Sequence, residues 1–190
     1  MEKIKTLKNI IIIRHFKPEI NKNIPVSRWT LNDEGIKEMN KLLNTFLFKN
    51  ITKIHSSPEN KALITAKLIS NKKNIPLIIN KKIKEVDRSK SGFIEGDYKE
   101  IAKSYLTNTK FEYQWEDIKS VKKRAKEFIN EIERETETII IVSHGMFLSI
   151  LLHKYFKKDI VDFWSNLKFG EIIKIDFEKL KKVWNNTDKT

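Results

Sequence analysis

The chain has 190 residues, no cysteine and a formal net charge of +13. The missing cysteines exclude a disulfide scaffold, a cysteine-ligated zinc or iron–sulfur site and a thiol nucleophile. Only five of the 38 basic residues are arginine, and the basic residues are spread along the chain, which does not favour a nucleic-acid interface. A positive field of this kind attracts anions such as phosphate esters.

The first half of the chain predicts strands and helices in alternation. Residues 9–14, with the sequence NIIIIR, are typical of a strand that is buried on both faces. Apolar residues at helical spacing predict a helix over 31–48, with Thr30 as its N-cap. A second strand is expected over 51–55 and a third over 76–80. Between them we expect a helix that has Ser57 as its N-cap and Pro58 at its first position and that runs to about residue 71.

The second half predicts a loop over 84–97, followed by more helices and strands. The expected elements are a short helix near 97–106, a helix over 116–134, a strand over 138–143, a buried helix over 146–152 and a late strand over 171–177, on which 182–184 pair back. Strands that alternate with helices predict an α/β fold with helices on both faces of the sheet. We therefore expect a three-layer α/β/α sandwich whose central sheet is mostly parallel, with an antiparallel edge strand.

Polar residues stand where the predicted strands end. The first strand ends in Arg14-His15, the late central strand is followed by His144, and Lys61 lies one turn into the helix after the second strand. The carboxyl ends of parallel strands share one edge of a sheet, so these side chains are expected to meet in one crevice. Two imidazoles, a guanidinium and an ammonium group predict an anion site. A zinc site would need a third histidine or a carboxylate, and no HExxH spacing is present.

Six motifs occur in order along the chain. They are Arg14-His15, Asn21, Leu31-Asn32-Asp33-Glu34-Gly35, Ser56-Ser57-Pro58-Glu59-Asn60-Lys61-Ala62, Ile83-Lys84-Glu85 with Ile94-Glu95-Gly96, and Val142-Ser143-His144-Gly145. Together they resemble the motifs of the histidine phosphatase superfamily, the phosphoglycerate mutase-like proteins. The resemblance implies the phosphoglycerate mutase-like sandwich and a small phosphatase.

The resemblance also implies the role of each site residue. His15 would be the nucleophile that forms a phosphohistidine, and Glu85 would be the general acid and then the general base. The phosphate would be held by Arg14, Asn21, Lys61 and His144, and all of these except Asn21 would also stabilise charge in the transition state. No metal or other cofactor is expected, because the cations of the protein take the role of a metal.

Two positions depart from the family pattern. Phe16 replaces the glycine that follows the nucleophile, and Lys61 replaces an arginine, whose planar fork suits phosphate better. These changes leave open a weakened member that only binds a phosphorylated ligand, and a mutase is a further alternative. Phe16, Arg28 and Arg88 are expected to line the substrate site.

We expect a single domain over 1–190, with 88–115 as a cap over the active site. No apolar segment approaches the ~18 residues that span a bilayer, and the apolar run at 10–13 ends without a signal cleavage site. A cytoplasmic protein is therefore expected, acting on a small phosphorylated substrate without membrane or nucleic-acid partners. The sequence leaves the identity of the substrate and the oligomeric state open.

Overall fold

The computed structural model of the protein describes residues 9–45, 50–135 and 137–186. Within these ranges, five strands form one sheet in the order β3-β2-β4-β1-β5. They are β1 (Asn9–Arg14), β2 (Ile51–Ser56), β3 (Leu77–Ile79), β4 (Thr138–Ser143) and β5 (Ile172–Asp176). The first four strands are parallel, and β5 pairs antiparallel with β1 at one edge.

Helices follow the strands along the chain. They are α1 (Asp33–Thr45), α2 (Asn60–Lys73), α3 (Tyr98–Thr107), α4 (Ile118–Ile132), α5 (Gly145–Leu152), α6 (Ile160–Asn166) and α7 (Phe177–Asn186). Within the described ranges, none of the helices is long and apolar enough to cross a membrane.

The core is divided into two halves by the sheet, because successive side chains of a strand point to opposite faces. Ile10 and Ile12 of β1 pack with α3 to α7, whereas Ile11 and Ile13 pack with α1 and α2. Both faces of the sheet are therefore covered by helices. This arrangement confirms the predicted α/β sandwich, with its mostly parallel sheet and antiparallel edge strand.

The helix starts in the first half differ from the predictions. α1 begins at Asp33, and the side-chain oxygen of Asn32 accepts the Gly35 N–H at 2.8 Å, so Asn32 rather than Thr30 is the cap. α2 begins only at Asn60, beyond the Ser57-Pro58 pair. The end predicted for α1, at residues 46–48, lies outside the described residues.

The C-terminal region contains two further differences. The prediction that 182–184 pair back on β5 is wrong, because Phe177 begins a helix that buries Phe177 and Leu180 on one face. The sequence analysis also missed α6. Its seven residues bury only Phe163, so its apolar periodicity is too weak to be read, although the Asp159 side chain caps its first turn.

The register of the parallel strands brings the predicted site residues to one edge. Arg14 lies opposite Ser143, and Ser56 lies opposite Val142. β1 and β4 end side by side, and the His15 N–H donates to the Ser143 carbonyl at 3.0 Å just beyond the end of β1. The three strand ends thereby place His15, His144 and the start of α2 around one point.

Candidate active site

His15 is buried at the carboxyl edge of the sheet, with 3% of its surface exposed. Its Nδ1 lies 2.7 Å from the main-chain carbonyl oxygen of Phe16. A carbonyl oxygen can only accept, so Nδ1 must carry the ring proton of the neutral imidazole. Nε2 then retains the lone pair, which is the form that a nucleophilic histidine needs.

The charge state of His15 is set by its surroundings. Burial lowers the pKa of His15 well below its ordinary value, and the neighbouring His144 ring and Lys61 ammonium group lower it further. The hydrogen bond to the Phe16 carbonyl acts in the opposite direction but is weaker. The ring is therefore neutral at neutral pH and available for attack.

His144 lies beside His15, with the two ring centroids 5.1 Å apart. It is fully buried immediately before α5, and its Nε2 lies 2.7 Å from the Ser57 hydroxyl. Its Nδ1 is buried and has no hydrogen-bond partner within the described residues. When the Ser57 hydroxyl donates to Nε2, Nδ1 carries the proton and can donate to an anion.

Arg14 is held between the main chain and an aromatic ring. Its Nη1 donates to the Leu167 carbonyl, and its Cζ lies 4.1 Å from the ring centroid of Phe169. A Cβ atom at Gly145 would fall 3.0 Å from this Cζ, so a side chain there would force the guanidinium to shift by a few tenths of an ångström. The Nε of Arg14 is buried and, in the part of the chain described, has no partner.

Lys61 approaches this group of side chains from the first turn of α2. It is 3% exposed, and its Nζ donates to Glu59 Oε2 at 2.7 Å and to the Val26 carbonyl at 3.0 Å. An ammonium group has three N–H donors, so one donor remains for a ligand. We call Arg14, His15, Lys61 and His144 the inner pocket.

Glu85 is fixed by the main chain at the start of α5. Its Oε1 accepts the N–H groups of Val86 at 3.0 Å and Phe147 at 2.9 Å, and its Oε2 accepts the Met146 N–H at 3.2 Å. Carboxylates are stabilised at helix N-termini by these free N–H groups and by the helix dipole. Its own N–H donates to Glu59 Oε1 at 3.0 Å, so Glu59 joins Glu85 to Lys61.

A cavity of about 600 Å³, which we call the outer cavity, opens beside Glu85. Arg28 and Arg88 line it, as do Glu59, Phe93 and several loop residues. The wall of the cavity carries charges of both signs, because Lys22, Lys84 and Asp87 also line it. The histidines of the inner pocket are not part of its wall.

The structure places the remaining predicted residues less centrally. Asn21 is exposed, and its side-chain oxygen accepts the Asn23 N–H at 2.9 Å in a local turn. Phe16 is 3% exposed, and its ring lies so close to Gly170 that a Cβ there would fall 2.5 Å from it. Phe16 does not line the outer cavity, whereas Arg28 and Arg88 do. The roles assigned to these residues stay predictions.

Four residues near the site were not singled out by the sequence analysis. Ser57 and Glu59 lie inside the Ser-Ser-Pro motif, so the sequence indicated this segment. It did not indicate which groups the two side chains bind. Phe169 stands over His15 with ring centroids 5.5 Å apart because the Gly170 N–H donates to the His15 carbonyl at 3.2 Å. No local sequence pattern predicts such a long-range contact.

Tyr98 is the fourth of these residues, and it belongs to the segment 88–115. Its hydroxyl accepts a hydrogen bond from Arg88 Nη1 at 2.5 Å. Burial raises the pKa of the Tyr98 phenol, and Glu85 and Arg14 are among the charges that act on it. The segment thus reaches toward the inner pocket, and its function as a cap stays a prediction.

Among the described residues, no group of three His, Cys, Asp or Glu side chains is arranged to hold a metal ion. The two histidines of the inner pocket are accompanied by cations instead. The site is therefore suited by charge to a ligand that is an anion.

Known proteins resemble the chain in sequence and in fold. Phosphoserine phosphatase 1 of Hydrogenobacter thermophilus is 28% identical over 171 residues, which cover 82% of this chain and 80% of that protein. The structure of Bacillus stearothermophilus YhfR matches with a TM-score of 0.73 at 20% identity, covering 89% of this chain and 91% of that one. Phosphoglycerate mutase from Bacillus anthracis matches with a TM-score of 0.69 at 17% identity, over 94% and 97% of the two chains.

The two structural matches establish the fold, and the match to a family model establishes the family. The model of the histidine phosphatase superfamily (branch 1) matches residues 10–187, which contain every motif on which the predicted resemblance depends. The chain therefore belongs to the histidine phosphatase superfamily, which confirms the predicted family and the prediction that the protein is a phosphatase.

Proposed function

We propose that the protein hydrolyses small phosphate monoesters without a metal, through a phosphohistidine formed on His15. One observation carries the proposal: the lone pair of His15 Nε2 is accompanied by two buried polar atoms, Arg14 Nε and His144 Nδ1, that have no partner among the residues that the structure describes. Buried polar groups are normally hydrogen-bonded, so such atoms call for an explanation. The oxygens of a phosphoryl group would supply both partners.

The first step transfers the phosphoryl group to the enzyme. His15 Nε2 forms a bond to phosphorus while the bond from phosphorus to the ester oxygen breaks. Arg14, His144 and the remaining N–H of Lys61 stabilise the charge on the other phosphoryl oxygens. Phosphate esters have a second pKa of about 6, so a monoanionic substrate brings a proton that Glu85 passes to the leaving oxygen.

The second step returns the enzyme to its starting state. Glu85 takes a proton from a water molecule, whose oxygen forms a bond to phosphorus as the bond to His15 Nε2 breaks. Glu85 passes the proton that it took from water to the departing phosphate, so the products are inorganic phosphate and an enzyme with free His15 and an ionised Glu85. The main-chain N–H groups that hold Glu85 keep its carboxylate in place for both steps.

The outer cavity favours a substrate that carries charged groups besides the phosphate. Arg28 and Arg88 are suited to a carboxylate, and Asp87 and Glu59 are suited to an ammonium group. O-phosphoserine has both groups, and the relative from Hydrogenobacter is named a phosphoserine phosphatase. We therefore take O-phosphoserine as the first natural substrate to compare with a plain aryl phosphate.

The decisive experiment measures hydrolysis of an aryl phosphate from about pH 5 to 8 with EDTA present, with His15→Ala as the control. We expect activity that resists EDTA, is lost in the variant and leaves a labelled phosphoenzyme on wild-type protein only. Activity that survives in the variant or requires a metal would overturn the mechanism. Ligand binding without turnover would favour the weakened member, and interconversion of phosphoglycerates would favour the mutase.

The same experiment tests the protonation state of the nucleophile. Because burial keeps the pKa of His15 well below 6.5, the ring does not gain a proton as the pH falls through that value. Once the rate is corrected for the ionisation of the substrate, we expect it to pass through pH 6.5 without the loss that an ordinary histidine nucleophile would show. Half-loss of the rate at that pH, attributable to the free enzyme, would contradict the neutral ring.

A further inference from the structure

A second cavity, of about 370 Å³, lies between α4, the end of α5 and α7. We call it the lysine cavity, because five lysines and a histidine line it and, among the described residues, no carboxylate does. They are Lys119, Lys122, Lys123, Lys126, Lys154 and His153. It shares no lining residue with the outer cavity or the inner pocket.

Four of these lysines form a stripe along α4. They stand at positions i, i+3, i+4 and i+7 from Lys119 to Lys126, which share one helix face. Like charges at this spacing repel one another and destabilise the helix. The carboxylate of Glu131, on the same helix, is used elsewhere, since it accepts hydrogen bonds from Asn80 and Lys82. Glu127, four residues after Lys123, is a further carboxylate of this helix, and the stripe still concentrates four positive charges on one helix face.

The lysines of the cavity are distinguished by where they converge. Some lysines of the chain lie beside carboxylates, as in the pairs of Lys53 with Glu135 at 2.7 Å and Lys82 with Glu131 at 2.6 Å. Four lysines of the cavity make no ion pair with any described residue: Lys119, Lys122, Lys123 and Lys154. Single exposed lysines such as Lys67 make none either, so the feature that points to a ligand is that five lysines line one concave surface on which, among the described residues, no carboxylate lies.

The floor of the cavity is rigid and partly apolar. Ile150 is buried there, and the Trp184 indole N–H donates to the Leu151 carbonyl at 3.0 Å. His153 ends α5, and its Nδ1 faces the Lys158 carbonyl at 3.3 Å. Burial lowers the pKa of His153, the hydrogen bond to the Lys158 carbonyl raises it, and Lys154 and Lys122 lower it by smaller amounts.

We propose that the lysine cavity binds a small molecule that carries two or more phosphate groups. Ammonium groups bind phosphates as point charges, and five of them match a ligand with several negative charges. The volume lies at the lower end of the roughly 300–1,000 Å³ of small-molecule sites. A concave site of this size suits a compact ligand better than a nucleic-acid backbone, which needs an extended basic surface.

Inorganic tripolyphosphate is the probe that tests the proposal, and the ring signals of the four histidines in NMR are the readout. At about 150 mM salt, where exposed charges are screened, we expect saturable binding that moves the His153 signal. Lys122→Met with Lys123→Met should weaken this binding by at least about tenfold, as expected for two lost charge-assisted hydrogen bonds. Lys67→Met with Lys72→Met, on exposed α2 lysines, is the matched control and should bind as the wild type does.

Each other outcome has a defined meaning. A shift confined to His15 and His144 would show binding in the inner pocket only and would overturn the proposal. Equal binding by both double variants, or loss of all binding at this salt concentration, would also overturn it. Displacement of tripolyphosphate by much lower concentrations of a single-stranded DNA would identify a nucleic-acid surface instead. Unchanged hydrolysis of an aryl phosphate shows that each variant is folded, and Lys119→Met with Lys154→Met repeats the test at other positions.

Discussion

The inner pocket and the outer cavity differ in what holds their side chains. His15 and His144 are 3% and 0% exposed, and each is bound to a group at the end of a central strand. The outer cavity is lined by Arg28, Arg88 and Phe93, which come from short helical turns and loops. Phe93 is 36% exposed. The ends of the strands therefore fix the two histidines assigned to chemistry, and loops provide the groups assigned to substrate selection.

Two glutamates stand at the boundary between these regions. Glu59 and Glu85 both line the outer cavity, yet each is bound to the inner pocket or to the helix beside it. Loops carry selective contacts in many enzymes because they can change without disturbing a core. We therefore expect changes in the inner pocket to alter stability and kcat, and changes in the outer cavity to alter KM.

The largest expected effect concerns Phe16, which is buried in the core and directly follows His15 of the inner pocket. Phe16→Ala should lower the free energy of unfolding by about 3–5 kcal/mol, because it leaves a cavity where the ring meets Gly170. Urea unfolding measures this loss. Phe93→Ala, in the outer cavity, is the control and should change stability by about 0.5 kcal/mol. A similar small change for both variants would contradict the comparison.

The same contrast explains how much of the structure could be predicted. The proximity of His15 and His144 could be predicted, because each residue follows an apolar run that is visible in the sequence. The ends of such parallel strands share one edge of the sheet. Phe169 could not be found, since a turn far along the chain brings it over Arg14. The C-terminal helix was misread for a related reason: its buried residues, Phe177 and Leu180, are too few to separate a helix from a strand.

Lys61→Met should reduce kcat for an aryl phosphate by ~100-fold, as expected when one stabiliser of the developing charge is lost. Its ammonium group is buried and has one N–H left for the phosphoryl group. Lys67→Met, an exposed position on the same helix, is the matched control and should retain wild-type kinetics. Near-normal turnover by Lys61→Met would remove Lys61 from the site.

Glu59→Gln tests the boundary between the two regions. Gln keeps the size of the side chain but loses the charge that holds Lys61, so we expect kcat to fall by about tenfold with little change in KM. In a Lys61→Met background the same change should have almost no further effect, because Glu59 acts through Lys61. Glu95→Gln, whose carboxylate is 81% exposed beside Lys22, is the control. Additive effects of the two substitutions would show that Glu59 does not act as a positioning residue.

The smallest expected effect belongs to Arg88, which lines the outer cavity and lies 5.3 Å from the rings of Tyr98 and Trp115. Arg88→Ala should raise KM for O-phosphoserine by about threefold, the value of a partly exposed ion pair, and leave KM for the aryl phosphate unchanged. Lys90→Ala, an exposed neighbour outside the cavity wall, is the control. An equal change in KM for both substrates would mean that Arg88 binds the phosphate itself, and the separation between the inner pocket and the outer cavity would then fail.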